Sequence, residues 1–384
     1  MSQTEITDEE RLHRLRLIRS DHVGPLTFRR LMERFGSAAE ALAALPDLAR
    51  RGGLSRPLIP YPKADAEREL TALAALGARL VAIGEPGYPP LLGHVDDAPP
   101  LLAVLGDHAV LARPIIGVVG TRNASVNGRG MAARLAAELG QAGVVVISGL
   151  ARGIDTAAHR AALPTGTVAA VAGGADVIYP AENGDLYRAI IDRGGAVISE
   201  MPPGTQPQAR HFPRRNRMIA GAALGVVVVE AALRSGSMIT ARLALEQGRE
   251  VFAVPGSPLD PRARGANDLI RQGAVLTETA EDIVRALPAL PALDSGTPVR
   301  VADRQPGGTL DTAPGAVPER MPELECGPQV RAAIAEALSP APATVDEIVR
   351  SCQLSPAVVA AVLLEWELAG RLERHAGNRV SLIG

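Results

Sequence analysis

The stretch that decides the fold is PIIGVVGTRNASVNGRGMAARLAAELGQAGVVVIS, residues 114–148. It has a run of Val and Ile at each end and, between them, Met131, Leu135 and Leu139 at four-residue intervals. Apolar runs without polar alternation are typical of parallel strands buried on both faces, whereas four-residue spacing gives a helix a single apolar stripe. The stretch therefore predicts a strand, a helix and a second strand parallel to the first.

The same alternation of short apolar runs and amphipathic stretches extends from residue 76 to residue 285. The further runs are ARLVAI, TVAAVAG, GAVIS, LGVVVVE and EVFAVPG. Repeated strand and helix units form a doubly wound sheet, with helices on both faces. The sequence thus predicts an α/β fold whose core, residues 76–285, is a Rossmann-like, mostly parallel sheet.

The residues on either side of this core differ from it in composition and in hydrophobic pattern. Residues 1–75 read as short helices, with a Ser37–Glu40 capping box, and predict a small helical domain of the helix-hairpin or SAM-like kind. Residues 286–322 are rich in Pro, Gly and Ala without periodicity, which predicts a flexible linker. Residues 323–384 show helical segments followed by a hairpin with Gly377–Asn378 at its turn, which is the order of a winged helix.

Composition limits the possible functions. The formal net charge is -2, so a nucleic-acid site has to be a local basic patch and not the whole surface. Cys326 and Cys352 have neither metal-ligand spacing nor the number that a disulfide scaffold needs. The acidic start, MSQTEITDEE, is unlike a signal peptide, and no apolar run reaches the roughly 20 residues of a membrane helix. We therefore expect a cytoplasmic protein without a membrane segment or a metal site.

Two consecutive strand ends carry small residues followed by an arginine. The first presents Gly120, Thr121 and Arg122, and the second presents Ser148, Gly149 and Arg152. Ligands bind at this edge in open α/β sheets, and free amides at a helix start hold phosphates. The fingerprint G-x-G-x-x-G is absent, so we predict no dinucleotide cofactor. Asp155 and His159, four residues apart, are interpreted as a structural pair and not as a catalytic or metal-binding one.

A third segment, ARHFPRRNRM (209–218), places basic residues beside an aromatic ring. Its candidate contact residues are Phe212, Arg214, Arg215, Asn216 and Arg217. A solvated basic loop is the ordinary interpretation of such a run, but this segment continues into a buried helix and strand, so its arginines are anchored. Guanidinium groups hold phosphates and aromatic rings stack on bases in proteins that bind single strands. The turn that comprises Ser235, Gly236 and Ser237, before another helix, is a further candidate anion site.

Many strings of the core resemble the DNA-processing protein A family (DprA, also called Smf). They are GVVGTRNASVNG, SGLARGIDTAAHRAAL, AGGADVIYP, SEMPPG, HFPRRNRMIAG, VVVVEA, SGSMITA, GREVFAVPG and GANDLIRQGA. The resemblance implies a protein that binds single-stranded DNA without sequence preference, protects incoming DNA, forms a homodimer through its core and helps load the RecA recombinase in natural transformation and recombination. It also implies a DNA pocket at Arg122, Ser148, Arg152 and residues 214–217, and no chemistry of the protein's own.

Two other functions remain open from the residues alone. A nucleotide-processing enzyme of the phosphoribohydrolase kind would use Glu230 as its acid. The Pro-Gly-Gly turn of such enzymes is missing from RSGSMITA, and a structural carboxylate that pairs with a neighbouring arginine is the simpler interpretation. A transcription regulator would read DNA with the C-terminal module. Its candidate helix, SPAVVAAVLLEWELAG, has no basic side chain and carries Glu365 and Glu367, so we predict a packing or protein-contact role for that module.

Overall fold

In this computed structural model the described residues are 5–287, 327–375 and 377–383. They divide into two compact units. One contains Glu5 and residues 68–287, and the other contains residues 6–67 with the described residues from 327 onward. Apart from Ala286 and Leu287, the predicted linker 286–322 lies outside the described residues, as does Cys326. The predicted domain boundaries stay predictions.

Fourteen α-helices lie in the described part of the chain. They are α1 (Asp8–Arg19), α2 (Pro25–Phe35), α3 (Ala38–Arg51), α4 (Lys63–Ala75), α5 (Val126–Gln141), α6 (Ile154–Ala162), α7 (Gly184–Asp192), α8 (His211–Ala222), α9 (Gly236–Glu246), α10 (Arg264–Arg271), α11 (Ala280–Ala286), α12 (Pro328–Glu336), α13 (Val345–Cys352) and α14 (Pro356–Leu368). Helix starts follow local capping chemistry: Thr344 and Glu347 form a reciprocal capping box at α13, and Ser355 caps α14.

The strands of the described residues form two sheets. The strands are β1 (Ala78–Ala82), β2 (Leu101–Gly106), β3 (Ile115–Val119), β4 (Val145–Ser148), β5 (Thr167–Ala170), β6 (Ala196–Ser199), β7 (Gly225–Val228), β8 (Glu250–Ala253), β9 (Val275–Leu276), β10 (Ala343–Thr344), β11 (Leu372–His375) and β12 (Arg379–Leu382). The larger sheet has the order β1-β2-β6-β5-β4-β3-β7-β8-β9, and the smaller one has the order β10-β12-β11.

The larger sheet is parallel from β3 to β9, which confirms the mostly parallel Rossmann-like prediction. At one edge, β2 pairs antiparallel with β6, and β1 pairs antiparallel with β2. The interpretation of ARLVAI, which is β1, as a parallel strand was therefore wrong. The run also contains Arg79, which is exposed, and an apolar run reports burial without reporting the direction of the neighbouring strand.

Helices cover both faces of this sheet. Val226 and Val228 of β7 point to one face and pack in the core formed with α8, α9 and α10. Val227, between them, points to the other face and packs in the core formed with α5, α6 and α11. This alternation of side chains along one strand is the geometry of a doubly wound sheet. The carboxyl ends of β3, β4 and β5 lie side by side, so the turns that follow them share one edge.

The second unit joins the N-terminal helices to the C-terminal module. Leu364 and Leu368 of α14 pack in one apolar core with residues of α1, α2 and α3. The Glu367 carboxylate accepts hydrogen bonds from Oγ1 of Thr27 (2.6 Å) and Nε of Arg374 (2.8 Å), and burial raises the pKa of this carboxyl. α14 is thus an internal helix of its unit, as the prediction of a packing role requires.

The other acidic residue of α14 and a wing arginine are also engaged inside this unit. Glu365 is buried and pairs with Arg331 of α12. Arg371 donates a hydrogen bond from Nη1 to the carbonyl oxygen of Gly52 (3.2 Å), and its guanidinium carbon lies 5.4 Å from the ring centroid of Trp366. The charged side chains around α14 therefore hold the unit together.

Within the described ranges, no single helix has both the length and the apolar composition to cross a membrane. Only α13 and α14 taken together reach those values, and they are bent by 119° at the break between them.

Candidate nucleic-acid interface

A cavity of about 450 Å³ opens at the sheet edge beyond β3, β4 and β5; we call it the edge cavity. Its lining comes from the turns after these three strands and from α8. The lining residues are Arg122, Asn123, Gly149, Ala151, Arg152, Val171, Ala172, Gly173, Val177, Tyr179, Pro180, Phe212 and Arg215. The cavity therefore combines guanidinium groups, aromatic rings and an apolar wall at the edge where open α/β sheets bind ligands.

The turn between β3 and α5 begins with a close approach of two chain segments. A Cβ on Gly120 would lie 2.5 Å from Cγ1 of Ile154 and 3.0 Å from the carbonyl oxygen of Glu230, so only glycine fits. The backbone N of Thr121 donates a hydrogen bond to the carbonyl oxygen of Glu230 (2.7 Å). Gly120 and Thr121 thus shape the turn, and Arg122 extends from it to the cavity lining.

The start of α5, where the sequence predicts a phosphate cradle, is bound by the protein's own carboxylate. Glu230 accepts hydrogen bonds from the backbone N of Ser125 (3.0 Å) and from its Oγ (2.5 Å). A Cβ on Gly128 would lie 2.4 Å from Cδ of Glu230, so the carboxylate is packed directly against the first turn of the helix. The carboxylate brings a negative charge to this helix start, where the helix dipole favours one, and the predicted phosphate cradle stays a prediction. Glu230 has a structural role, which was the simpler interpretation of this residue. Its hydrogen-bond partner is Ser125 and not the expected arginine.

Two buried side chains, Ser148 and Asp155, hold the turn between β4 and α6 by hydrogen bonds. Ser148 is fully buried, and its hydroxyl donates a hydrogen bond to the carbonyl oxygen of Val118 (2.6 Å). The Asp155 carboxylate accepts hydrogen bonds from the backbone N of Gly149 (3.1 Å) and of Ala151 (3.3 Å). Asp155 therefore fixes the loop that forms one wall of the edge cavity.

His159 does not pair with Asp155, so that interpretation was wrong. Its Nδ1 forms a hydrogen bond with Oγ1 of Thr167 (2.8 Å) on β5, because the first turn of α6 directs Asp155 back toward the loop amides. Burial, helped by the nearby Arg215 charge, lowers the pKa of His159 to about 3. The buried ring is therefore neutral in the folded protein.

Arg215 forms the floor of the cavity beside Gly149. A Cβ on Gly149 would lie 1.1 Å from Nη1 of Arg215, so the guanidinium occupies the space that any other residue would need. Burial lowers the pKa of Arg215, the Asp155 carboxylate raises it, and the Arg122 guanidinium lowers it again. Arg215 is thus a buried cation that depends on Asp155 for compensation.

Arg152 and Arg122 are the exposed cations of the lining. The Arg152 side chain is 65% exposed and pairs with Glu182, which is itself 53% exposed. An ion pair this open to solvent contributes little stability, so a phosphate can replace the carboxylate at little cost. Both side chains are therefore available to an incoming anion.

Arg214 and Arg217, on the same helix as Arg215, have protein carboxylates as partners. Arg217 is buried and pairs with Glu200 and with Asp97, the latter at 3.1 Å. Arg214 is half exposed, with Nε 3.0 Å from Oε1 of Glu200. Neither lines the edge cavity, whose described lining includes only Phe212 and Arg215 from α8.

Asn216 and the turn before α9 belong to one hydrogen-bonded link. Nδ2 of Asn216 donates to the carbonyl oxygen of Gly236 at 3.4 Å, and the hydroxyl oxygens of Ser235 and Ser237 lie 2.7 Å apart. These residues are absent from the described lining of the edge cavity. Their predicted contact with DNA, like that of Arg214 and Arg217, stays a prediction.

Two aromatic rings meet at the cavity. The ring centroids of Tyr179 and Phe212 are 5.9 Å apart, with an interplanar angle of 61°. The guanidinium carbons of Arg122 and Arg215 lie 5.4 and 5.8 Å from the centroid of Phe212, within the range of cation–π contacts. Sequence analysis did not single out Tyr179. Its position after β5, at the same edge as the two arginine turns, was the signal that could have found it.

No group of three or more His, Cys, Asp and Glu side chains in the described ranges is arranged to bind a metal ion. Cys352 is a free thiol, and burial raises its pKa.

Three family models match this chain. The model of DNA recombination-mediator protein A matches residues 79–288. The DprA-like N-terminal HHH domain matches residues 8–72, and the DprA winged helix domain matches residues 318–378. The chain belongs to the DNA recombination-mediator protein A family. The resemblance seen in the sequence is thereby confirmed, as is the prediction of a helical and a winged-helix domain beside the Rossmann-like core.

Several members of this family are similar to the chain over long stretches. DNA processing protein DprA of Bacillus subtilis (strain 168) is 44% identical over 231 residues, which are 59% of this chain and 77% of that protein. The crystal structure of DprA from Streptococcus pneumoniae matches with a TM-score of 0.61 and 35% identity over 74% of this chain and 99% of that chain. DprA from Helicobacter pylori, whose structure is reported for its unique single-stranded DNA binding mode, matches with a TM-score of 0.50 and 28% identity over 55% of this chain and 95% of that chain.

Proposed function

We propose that this protein binds single-stranded DNA without sequence preference in the edge cavity and passes the strand to the RecA recombinase during natural transformation and recombination. One observation carries the proposal. The cavity joins exposed guanidinium groups, those of Arg122 and Arg152, to the aromatic pair of Tyr179 and Phe212. Arginines that hold phosphates beside rings that stack on bases are the usual means of binding a single strand.

Membership of the recombination-mediator family supports this function, as does the single-stranded DNA binding mode reported for the Helicobacter pylori relative. The start of α5 adds a physical constraint, because the negative charge of Glu230, which is bound to Ser125, disfavours a phosphate there. Phosphates are therefore bound by side chains at the cavity. Stacking tolerates every base, since each base has a π face, and it accounts for binding without sequence preference.

The test is a titration of fluorescent oligo-dT into the wild type and the Arg122→Ala/Arg152→Ala variant. Two charge-assisted contacts are lost, so we expect affinity to fall about a hundredfold. Arg285→Ala is the matched control, because Arg285 is also exposed and paired with a glutamate, Glu281, but lies in α11. Unchanged affinity in the double variant would refute the location of the site. A wild type that bound a duplex as tightly as the single strand would refute the preference.

The salt dependence of the same titration gives an independent readout. Each phosphate that is neutralised on a single strand contributes about -0.7 to the slope of log affinity against log salt. The Arg122→Ala/Arg152→Ala variant should therefore have a slope shallower by about 1.4 than that of the wild type. The Arg285→Ala control should keep the wild-type slope.

In this proposal the protein acts in the cytoplasm by binding alone, without catalysis. The carboxylate that an enzyme of the phosphoribohydrolase kind would use, Glu230, is occupied by Ser125, and Asp155 and His159 are buried. The family match favours the recombination function over this alternative. Release of free base from a nucleoside monophosphate, lost in Glu230→Gln, would reverse that judgement.

The core also has an apolar surface suited to the predicted homodimer. A second cavity, of about 520 Å³, lies over α10 and β9. Leu233 and Leu276 on its lining are 54% and 48% exposed. We propose that two copies pair at this surface. Light scattering should give a dimer for the wild type and a monomer for Leu233→Glu/Leu276→Glu, and a dimer in both would place the interface elsewhere.

RecA loading is measured directly as the RecA ATPase rate on oligo-dT at limiting RecA. The wild type should raise this rate, and the Arg122→Ala/Arg152→Ala variant should not, because it no longer holds the strand. An equal rate with and without the wild-type protein would refute the handover.

A further inference from the structure

The second unit has a cavity of its own, which lies among α2, α3, α13 and α14; we call it the helix groove. Its volume of about 1040 Å³ exceeds the usual range of small-molecule sites. On α14 the lining includes Ala357, Ala360 and Ala361, which share one face of the helix, and on α3 it includes Ala43 and Ala44. Two helix faces with short apolar side chains form the kind of groove into which an amphipathic helix lays its apolar face.

Three arginines of the lining form one cluster. Arg30 and Arg34 are four residues apart on α2 and so share a face of that helix. Arg374 of β11 donates a hydrogen bond from Nε to the Glu367 carboxylate (2.8 Å), and Nη1 of Arg30 lies 3.8 Å from the same carboxylate. The guanidinium carbon of Arg34 lies 5.4 Å from the ring centroid of Phe35. The cluster thus brings three positive charges to the groove.

Each arginine of this cluster has a nitrogen whose hydrogen-bonding capacity is unused. Nη1 of Arg30, Nη1 of Arg34 and Nη2 of Arg374 are buried, and none has a hydrogen-bond partner within the described ranges. The Arg374 side chain as a whole is only 8% exposed. A buried donor without an acceptor is unfavourable. An acceptor in the groove would therefore satisfy these nitrogens without taking them from a partner in the protein.

The cluster also has more positive than negative charge. Glu367 is the carboxylate that Arg30 and Arg374 share, and exposed Glu33 is the other carboxylate that acts on Arg30. Burial lowers the pKa of Arg30, and these two carboxylates raise it. Arg34 forms no ion pair with a carboxylate in the described part of the chain. Three guanidinium groups against two carboxylates leave a positive charge that one carboxylate of a ligand would compensate.

The remaining carboxylates of the groove decide between a peptide and a nucleic acid. Glu40 and Asp47 of α3 and Asp346 of α13 are exposed and belong to the lining. A strand of DNA carries a phosphate at every nucleotide, so it would meet these carboxylates as well as the arginines. A peptide with one carboxylate among apolar side chains needs only the arginine cluster and the alanine faces. The charges therefore favour a peptide.

We propose that the helix groove is a docking site for an amphipathic helix of a partner protein. The apolar face of this helix packs on α3 and α14, and one of its carboxylates binds Arg30, Arg34 and Arg374. The proposal refines the predicted packing or protein-contact role of the C-terminal module, to which α13, α14 and β11 belong. It does not depend on the DNA site at the edge cavity, so either proposal can fail without the other.

Selection from a phage-displayed library of random peptides tests the proposal on the intact chain. Peptides of about 12 residues, long enough for three helical turns, are panned against the immobilised wild type, and the selected peptides are synthesised and titrated. Their sequences should place an aspartate or a glutamate among apolar residues at helical spacing. A library that yields no binder, or binders with basic side chains in place of the carboxylate, would overturn the proposal.

Blocking the groove tests the location of the site. Ala360 is exposed on α14 and lines the groove, so Ala360→Trp should fill it and weaken the selected peptides by roughly tenfold or more. Ala332→Trp is the matched control, because Ala332 is an exposed alanine of α12 that is absent from the described lining. Equal peptide affinities of the two variants would overturn the proposal. So would a loss of oligo-dT affinity confined to Ala360→Trp, because the groove would then hold DNA.

A double-mutant cycle tests the charge contact. A selected peptide and its counterpart, with the carboxylate replaced by the corresponding amide, are titrated into the wild type and Arg34→Gln. The variant should weaken the carboxylate peptide roughly tenfold and leave the amide peptide nearly unchanged. An equal loss for the two peptides would overturn the proposal.

Arg14→Gln is the control for this cycle. Arg14 is also half-buried on a helix of the same unit, but its Nε lies 2.7 Å from Oε1 of Glu10. Both peptides should therefore bind this variant as they bind the wild type, and a loss equal to that of Arg34→Gln would refute the contact. Circular dichroism spectra that match the wild type ensure that each variant is folded, and the peptide selection gives a result with the wild type alone.

Discussion

The turn between β3 and α5 has two halves that meet different neighbours. On the β7 side, the Glu230 carboxylate binds the backbone N and hydroxyl of Ser125 and closes the helix start. On the β4 side, Arg122 extends to an open cavity. One short glycine-containing motif thus has one half that is bound by the protein's own carboxylate and one half that faces an open cavity.

In the proposed site at the edge cavity, an anion is bound by side chains and not by the start of a helix. The amino end of a helix favours a negative charge, and Glu230 supplies one at the start of α5. This charge repels a phosphate from the same position. In the open half the positive charge belongs to the exposed guanidinium groups of Arg122 and Arg152, with buried Arg215 and its partner Asp155 near them. Binding at such a site depends strongly on salt and on single side chains.

The first expected effect concerns the pH dependence of stability and the buried ring of His159. The pKa of His159 is lowered to about 3 by burial, below its ordinary value of about 6.5. Above pH 6.5 the ring is neutral in both states. As the pH falls below that value, the unfolded ring takes up a proton and the folded ring does not, so the free energy of unfolding falls by roughly 1.4 kcal/mol per pH unit. Urea unfolding followed by circular dichroism between about pH 6.5 and about pH 5 measures this slope.

The control for this prediction is His159→Asn, which keeps a donor near Oγ1 of Thr167 but has no titrating ring. The slope of its unfolding free energy against pH should be smaller than that of the wild type by about 1.4 kcal/mol per pH unit, which corresponds to one proton fewer taken up on unfolding. Equal slopes in the two proteins would mean that His159 takes up protons in the folded state.

The second effect concerns the closed half. Glu230→Ala removes two hydrogen bonds to a charged carboxylate, so the free energy of unfolding should fall by about 3 kcal/mol. Glu230→Gln, which keeps an acceptor oxygen, should lose less. Oligo-dT affinity should stay at the wild-type value in both variants. A loss of DNA affinity that exceeds the loss of folded protein would show that the closed half also contacts the strand.

The third effect returns to the open half. Gly149→Ala would place a Cβ 1.1 Å from Nη1 of Arg215, so the guanidinium has to leave the cavity floor. We expect oligo-dT affinity to fall roughly tenfold. Gly130→Ala is the control, since a Cβ there meets nothing within 4 Å. Equal affinities for the two variants would show that the position of Arg215 does not matter for binding.

The fold followed from local patterns, with one instructive exception. The runs that form β3, β4, β5, β6, β7 and β8 were visible as apolar stretches, because burial on both faces leaves no polar alternation. β2 and β9 did not stand out, and β1 was given the wrong direction. Strand direction and pairing depend on neighbours that are distant in the chain, for example β2 between β1 and β6.

The candidate site was predictable only in part. Arg122, Gly149, Arg152, Phe212 and Arg215 were singled out from the sequence, and the structure brings them to one cavity. The cavity also needs residues of the turn after β5, which the sequence marks only as part of the family string AGGADVIYP and not by any charge on the lining residues. The lining residues that sequence analysis missed are Asn123, Ala151, Val171, Ala172, Gly173, Val177, Tyr179 and Pro180.

By itself, the sequence determined the strand and helix alternation, the family, and the sheet edge that carries the arginines. Only the tertiary structure decided which charges are available. Arg215 and Arg217 are two residues apart on α8, yet Arg215 lies against Gly149 at the cavity whereas Arg217 is bound by Glu200 and Asp97. The reason is physical: burial and pairing set the energy of a charge, and the residues that bury or pair it come from distant parts of the chain.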